Sequence, residues 1–274
     1  MYQGGFDCAG RLGPDSGSLA HIINSIGDES FHDGLLSFLH RNIGAEHCAT
    51  LAFTSDRPVK VGAVSLDGTD TAGTQVDLYL KSYWRADPTM VAAHSMVGQT
   101  PSRLDRLNIA ALPPSDLRDV IYGRTHISER LLLSGSVAGA GISLSILRSD
   151  QRGAFTDDEI ARVQDLADTL LAIIAKHAAL ARGQRDLSVA LSSLEVILDC
   201  MTHAPEGLPR REVEVCARSI YGISSFGIGL ELDIGEETVK TYRKRAYQRL
   251  GIATHHELLL WYVKRWSERL SRTH

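Results

Sequence analysis

Cysteine is scarce in this chain: four among 274 residues, at Cys8, Cys48, Cys200 and Cys216. No two form a C-x-x-C pair, which argues against a zinc ribbon or a dithiol redox motif. Cysteines scattered in this way are expected as buried thiols. No apolar run is long enough to span a bilayer. The first residues show no basic stretch followed by an apolar one, so no secretory signal and no membrane attachment are expected, and the protein is expected in the cytoplasm. Signatures of catalysis are missing as well. There is no HExxH, no GxSxG elbow and no GxxxxGK[ST] phosphate loop. The eleven histidines are dispersed, and the adjacent His255 and His256 cannot share a helix face. The expectation is a non-enzyme without metal or cofactor.

What is present is an ordinary globular composition, 43% apolar and 23% charged, enough for one large or two ordinary domains. The formal charge of −4 is unevenly placed. Residues 206–274 hold twelve Lys/Arg and nine Asp/Glu, a net of +3; the remaining 17 basic and 24 acidic residues give −7. A basic end on an acidic body suits a polyanionic partner for that end, although a solvated basic face has the same composition.

Residues 1–17 are rich in Gly, Asp and Ser and are expected to be flexible. Leu19 to Arg41 has the apolar spacing of one or two amphipathic helices. "CATLAF" from Cys48 and "VGAVSL" from Val61 read as short strands, followed by a turn-rich stretch from Asp67 to Thr74. "VDLYLKSYWRADP" starts as a helix that must stop before Pro88. Leu107 to His126 is mixed, broken by Pro113-Pro114. "SGSVAGAGISLSILRS" reads as one or two strands, with alternation clearest from Gly141 to Leu147. Thr156 and Glu159 have the spacing of a capping box at the head of one long helix. Along it, Ile160, Val163, Ala167, Leu170, Ile174, His177 and Ala181 recur in steps of three and four. Leu187, Leu191, Leu194, Leu198 and Met201 resume that rhythm. Such a seam is expected to pair with a second copy over part of its length; packing on the domain's own sheet is the alternative. Thr202 to Pro209 has the composition of a connector. The expected division is a flexible 1–17, an α/β domain over 18–182, a helical linker over 183–205 and a helical domain over 206–274.

The last domain has the clearest pattern. Val213, Cys216, Ala217 and Ile220 form one apolar stripe that ends at Gly222; Ile228 and Leu232 form a second. A tight "DIG" connection then leads into "EETVKTYRKRAYQRLGI". At 100° per residue from Val239, Tyr242, Ala246 and Leu250 fall within about 60° of it. Glu237, Lys240, Thr241, Lys244 and Gln248 fall on the far side, and Arg243, Arg245 and Arg249 flank the two faces. The positive charge is thus expected on the face turned away from the helix's own core. A helix, a tight turn and a second, basic helix make a helix-turn-helix plan, in which the second helix enters the major groove. By spacing alone, a solvated helix on a small bundle fits equally well.

The stretch from Leu208 to Trp261 resembles the helix-turn-helix domain of LuxR-family transcription regulators. The residues that carry the likeness include Arg211, Glu212, Glu214, Val215, Gly222, Ser224, Ile228, Leu232, Ile234, Thr238, Val239, Lys240, Leu250, Gly251 and Ile252, in order and without a gap. The resemblance implies a four-helix domain and double-stranded DNA as partner. It places Lys240, Thr241 and Lys244 against bases and Thr238, Arg243 and Arg245 against phosphates, with Glu237 on the same face. Departures from the family pattern are Tyr242 for a common His, Gly229 for a common Ala, Pro209 for a capping Ser or Thr, and Arg218 at an often apolar position.

The first domain's order of helices and strands resembles α/β sensors of the GAF or PAS sort. More narrowly, it resembles the autoinducer-binding domain of quorum-sensing LuxR proteins. Tyr79, Tyr83 and Trp84 before Asp87-Pro88, then Thr100-Pro101 and "FTDDE", carry this second likeness over about half the domain. It implies that Asp87 accepts a hydrogen bond from a ligand amide and that Tyr79, Tyr83 and Trp84 line a pocket. Leu104 stands near the place of the Trp that would hold a lactone carbonyl, which favours a small organic effector other than an ordinary acyl-homoserine lactone. The structural alternative is that Asp87 caps a turn and the tyrosines fill a core. The fold expected is α+β: an α/β/α sensor sandwich plus an all-α helix-turn-helix domain, acting as a homodimer, with RNA polymerase as a further partner if it activates. A sensor working by protein–protein contact and an acyl-homoserine lactone receptor are the alternative readings.

Overall fold

The computed structural model describes residues 18–95 and 102–272. The expected flexible start (1–17) and Thr100-Pro101 lie outside the described residues. The chain divides into two compact units, 1–181 and 182–274.

The first unit opens with helices α1 (Leu19–Asn24) and α2 (Phe31–Ile43). Strands β1 (His47–Phe53) and β2 (Pro58–Ser65) follow. Next come α3 (Thr71–Ser82) and α4 (Pro88–Ser95). Three more strands, β3 (Arg103–Asn108), β4 (Ile127–Val137) and β5 (Ala140–Ser149), complete an antiparallel sheet in the order β2-β1-β5-β4-β3. Strand alternation divides the core into two layers. Leu131, Leu133, Ile142, Leu144 and Ile146 face α1 and α2 and the helices after the sheet. Leu132, Ile127, Leu51 and Phe53 face the other way, against Tyr79, Trp84, Met90 and Ile121. This is the three-layer α/β/α sandwich that the sequence suggests.

Boundaries differ from expectation at several places, among them α4, which was not expected, and β4, which begins at Ile127 and not at Ser134. Helix α3 begins at Thr71, inside the stretch read as turn. Strand β3 was not expected at all: it is an edge strand pairing only with β4, and its sequence, RLDRLN, alternates charge with two leucines. The single long helix after Thr156 is divided into α5 (Asp157–Asp165), α6 (Ala167–Ser192) and α7 (Leu194–Thr202). The capping box is present: Thr156 Oγ1 accepts from the Glu159 amide (3.3 Å) and Glu159 Oε2 from the Thr156 amide (2.8 Å). The first half of the apolar seam, Val163, Ala167, Leu170 and Ile174, is buried in this unit's own core. It packs on the sheet and not on a second copy. Leu187 and Leu191 are exposed.

The boundary between units falls within α6. In the second unit, Ala190, Ile197, Cys200 and Met201 share a core with Val213, Cys216, Ala217, Ala246, Leu258 and Tyr262. Much of the stretch read as a linker therefore contributes to that unit's core. Four helices follow: α8 (Arg210–Tyr221), α9 (Ser225–Leu232), α10 (Glu236–Leu250) and α11 (His255–Arg272). Their ends follow local chemistry. Gly222 and Gly251 close α8 and α10 in the left-handed conformation that glycine adopts readily (φ 98° and 68°). The Ser224 hydroxyl caps α9 by accepting from the Gly227 amide (3.1 Å).

Candidate nucleic-acid interface and candidate pocket

Helix α10 is anchored by Val239 and Ala246, both fully buried. Val239 packs with Val215 and Ile228, tying α10 to α8 and α9. The turn between α9 and α10 is tight: a Cβ on Gly229 would lie 2.8 Å from the Ile234 carbonyl oxygen. The glycine that departs from the family pattern is thus fitted to the close approach of this turn. Asp233 takes the left-handed conformation at its centre (φ 54°).

With the core side fixed, Glu237, Thr238, Lys240, Thr241, Lys244, Arg245 and Gln248 are exposed and Arg243 is half-buried. Six of the seven residues expected at the interface therefore lie open to solvent. Arg243 is held by its Nη1, which donates to Ser225 Oγ on α9 (3.1 Å). Lys240 is engaged by acids of its own helix: Nζ lies 2.7 Å from Glu237 Oε1 and 3.3 Å from Glu236 Oε1. The hydrogen bonds that Lys240 donates to Glu237 and Glu236 push its pKa up. Arg218 pairs with Glu231 at 2.8 Å, which accounts for a cation where an apolar residue is common.

In the first unit, α3 and the π-helical turn Leu117–Tyr122 lean on one face of the sheet around a cavity of about 70 Å³. Its walls are mostly apolar, from Ala49, Leu51, Ala72, Val76, Ile121, Ile127 and Leu147, with His47, Gln75, Tyr79, Tyr122, Thr125, Arg130 and Ser145 supplying polar groups. Burial lowers the His47 pKa, and its Nδ1 is 2.9 Å from Ser65 Oγ.

Of the residues expected to bind ligand, Tyr79 lines this cavity; Tyr83, Trp84 and Asp87 do not. Trp84 is buried in the apolar layer and Tyr83 packs against it. Asp87 is fully buried, and its oxygens are taken by the protein. Oδ1 accepts from the Thr89 amide (3.0 Å), the Thr89 hydroxyl (2.7 Å) and the Met90 amide (3.3 Å), which caps α4. Oδ2 accepts from the Tyr79 hydroxyl (2.8 Å) and lies 2.8 Å from Arg130 Nη1.

Arg130 is the residue that sequence reasoning missed. Within "SERLLL" it reads as an exposed charge, and its partner lies 43 positions away. Here it is 2% exposed. Its Nη1 also donates to the Tyr122 hydroxyl (2.6 Å), and Nη2 donates to Thr89 Oγ1. Burial opposes the charge of Arg130, but Tyr122, Asp87 and Tyr79 outweigh it and raise its pKa. Burial likewise raises Asp87, and the Arg130 charge with its hydrogen bonds more than reverses this. The Tyr122 phenol is pushed up to about 12, chiefly by burial. The network is therefore Asp⁻, Arg⁺ and two neutral phenols at neutral pH.

Three solved structures are similar to this chain at low identity. The ligand-binding domain of VqsR from Pseudomonas aeruginosa aligns with 59% of this chain and 94% of its own (15% identity, TM-score 0.45). CepR2 from Burkholderia cenocepacia, described as an N-acylhomoserine lactone dependent LuxR family factor, aligns with 62% and 94% (15% identity, TM-score 0.39). SdiA from Escherichia coli aligns with 94% and 92% (13% identity, TM-score 0.35). No curated protein matches the chain by sequence. Residues 206–262 match the family described as bacterial regulatory proteins, luxR family, so that stretch of the second unit is a LuxR-family helix-turn-helix domain.

Proposed function

We propose that the protein is a ligand-responsive transcription regulator that reads a DNA operator through α10 as a homodimer. The observation that carries this reading is the exposed basic face of α10, held off the core by buried Val239 and Ala246. Lys240, Thr241 and Lys244 reach base edges; Thr238, Arg243 and Arg245 hold phosphates. Glu237 shares the face and holds Lys240 until DNA replaces it as partner. The first unit is the sensor, with residues 18–181 as its body, and its effector is a small organic molecule taken up in the cavity beside Tyr79. Effector binding changes DNA affinity only insofar as it favours one arrangement of the two readers, as linkage requires. RNA polymerase is a further partner if the regulator activates.

The Asp87 geometry modifies the expected ligand contact. All five hydrogen bonds and contacts of this carboxylate are made within the protein, so it supports the cavity wall through Tyr79 and Arg130. Native mass spectrometry of the full-length protein purified from its own host tests the whole reading. A dimer carrying a discrete extra mass is expected. A protein of bare mass that still binds its operator, unaffected by cell extract, would refute the small-molecule sensor and favour protein contact.

A further inference from the structure

Of the three residues assigned to base edges, Lys240, Thr241 and Lys244, only Thr241 is short and uncharged. It is exposed and lies near the middle of the outer face of α10. At 100° per residue it falls about 200° from Val239 and about 140° from Ala246, the two buried residues that hold the helix to its core. With α10 in a major groove, a side chain in this place faces the groove floor, where the base edges are. Being short, it touches only what the helix backbone itself approaches.

The hydroxyl of Thr241 is already engaged. Oγ1 donates to the Glu237 carbonyl, one turn earlier, at 2.9 Å. A hydroxyl has one proton, so this one is not free for the acceptors of a base edge: guanine O6 and N7, adenine N7 or thymine O4. Threonine in a helix commonly turns its oxygen back onto the preceding turn in this way. That leaves the γ-methyl as the group offered outward. Thymine is the base whose major-groove edge carries a methyl group, at C5. Contact between two methyl groups removes apolar surface from water and asks no hydrogen bond to be given up. The remaining polar use of Thr241 is acceptance by its oxygen from an adenine or cytosine amino group, which an isosteric substitution separates from a methyl contact.

We propose that Thr241 is a specificity-determining residue whose γ-methyl reads the C5-methyl of one thymine in each operator half-site. This rests on the reading of α10 as the helix that enters the major groove.

The operator selected by the full-length protein from random double-stranded DNA is resynthesised with each thymine in turn replaced by deoxyuridine, which pairs alike and lacks only the methyl. Affinity is read by fluorescence anisotropy for the parent, Thr241→Val and Thr241→Ser, with circular dichroism expected to be the same for all three. Valine keeps the shape and the methyl without the hydroxyl; serine keeps the hydroxyl and lacks the methyl. The expected result is one thymine per half-site at which deoxyuridine weakens the parent about fourfold, the change that burial of one methyl group supplies. Thr241→Val keeps that sensitivity and binds the unmodified operator as the parent does, whereas Thr241→Ser loses the sensitivity at that same thymine. An operator with no methyl-sensitive thymine overturns the proposal, as does a sensitive thymine to which Thr241→Ser responds like the parent. Thr241→Val binding the unmodified operator as weakly as Thr241→Ser overturns it in favour of a contact through the hydroxyl. In all these outcomes an operator is bound, and the reading of α10 is decided separately by the losses in Lys240→Ala and Lys244→Ala. Failure to select any operator removes that reading and the proposal with it.

Discussion

Asp87→Asn removes a charge where water does not reach. The side chains of Asp87 and Arg130 are 1% and 3% exposed, with the ion pair at 2.8 Å. Asparagine keeps the shape and one carbonyl oxygen, so the cap on α4 through the Thr89 and Met90 amides can persist. It cannot balance the Arg130 charge, and its amide nitrogen offers nothing for the Tyr79 hydroxyl to donate to. Breaking a buried pair from one side costs about 3–5 kcal/mol, because the remaining charge stays buried. The expected outcome is loss of about 3 kcal/mol or more from the first unit. A carboxylate serving only as a ligand contact would tolerate this change without loss of folding; the buried pair with Arg130 makes stability the first casualty. The assay is urea unfolding followed at Trp84, with Trp261 and Trp266 replaced by Phe, because two units need not unfold in one transition. A second variant gives the control. Asp87→Asn combined with Arg130→Met removes both charges and is expected to recover at least about half the loss. A cost below about 1 kcal/mol for the single variant would refute the argument that Asp87 is the counter-charge of Arg130.

Three further outcomes follow from the same geometry. His32 is buried beside His177, with Nε2 2.7 Å from Thr50 Oγ1; burial, then the His177 charge, push its pKa down to about 4. Its folded value is depressed, so its contribution is intact above the unfolded value near 6.5 and is lost as pH falls towards 4, about 3 kcal/mol in all; urea midpoints of parent and His32→Leu across that window check it, the variant showing the weaker dependence. Glu237→Gln leaves Lys240 with one fewer acidic partner on α10 and is expected to tighten DNA binding a few-fold, read by fluorescence anisotropy; weaker binding would instead make Glu237 a base contact. Arg245→Ala should lower affinity evenly across sequences and reduce the slope of log K against log salt by about 1, whereas an unchanged slope would remove Arg245 from the phosphate contacts.

The second unit was far more legible in the sequence than the first, for a physical reason. Its helices are specified locally. Gly222, Ser224 and Gly251 cap their ends, and the positions of Val239 and Ala246 follow from helical periodicity alone. The sandwich was legible where one strand carried a clear alternation, as from Gly141 to Leu147. It failed at β3, where an edge strand with three charged residues has little apolar signal. It was ambiguous along the first half of the seam, Val163 to Ile174, since steps of three and four suit a sheet face as well as a partner helix, and there the sheet takes them. For the break at Leu166 the structure offers no cause. The cavity was only partly legible: of the residues near the Asp-Pro singled out for a pocket, Tyr79 lines it and Tyr83, Trp84 and Asp87 do not. Arg130 was not visible as a buried charge, because its pairing with Asp87 exists only once β4 lies beside the head of α4.

The most direct test of the account is selection of bound sequences from random double-stranded DNA by the full-length protein, followed by affinity measurement with Lys240→Ala and Lys244→Ala. The account predicts enrichment of a defined operator, and about five- to hundredfold weaker binding to it for at least one variant, with changed preference at one base position. No enrichment, or an enriched sequence bound equally by parent and both variants, would contradict the claim that α10 reads DNA.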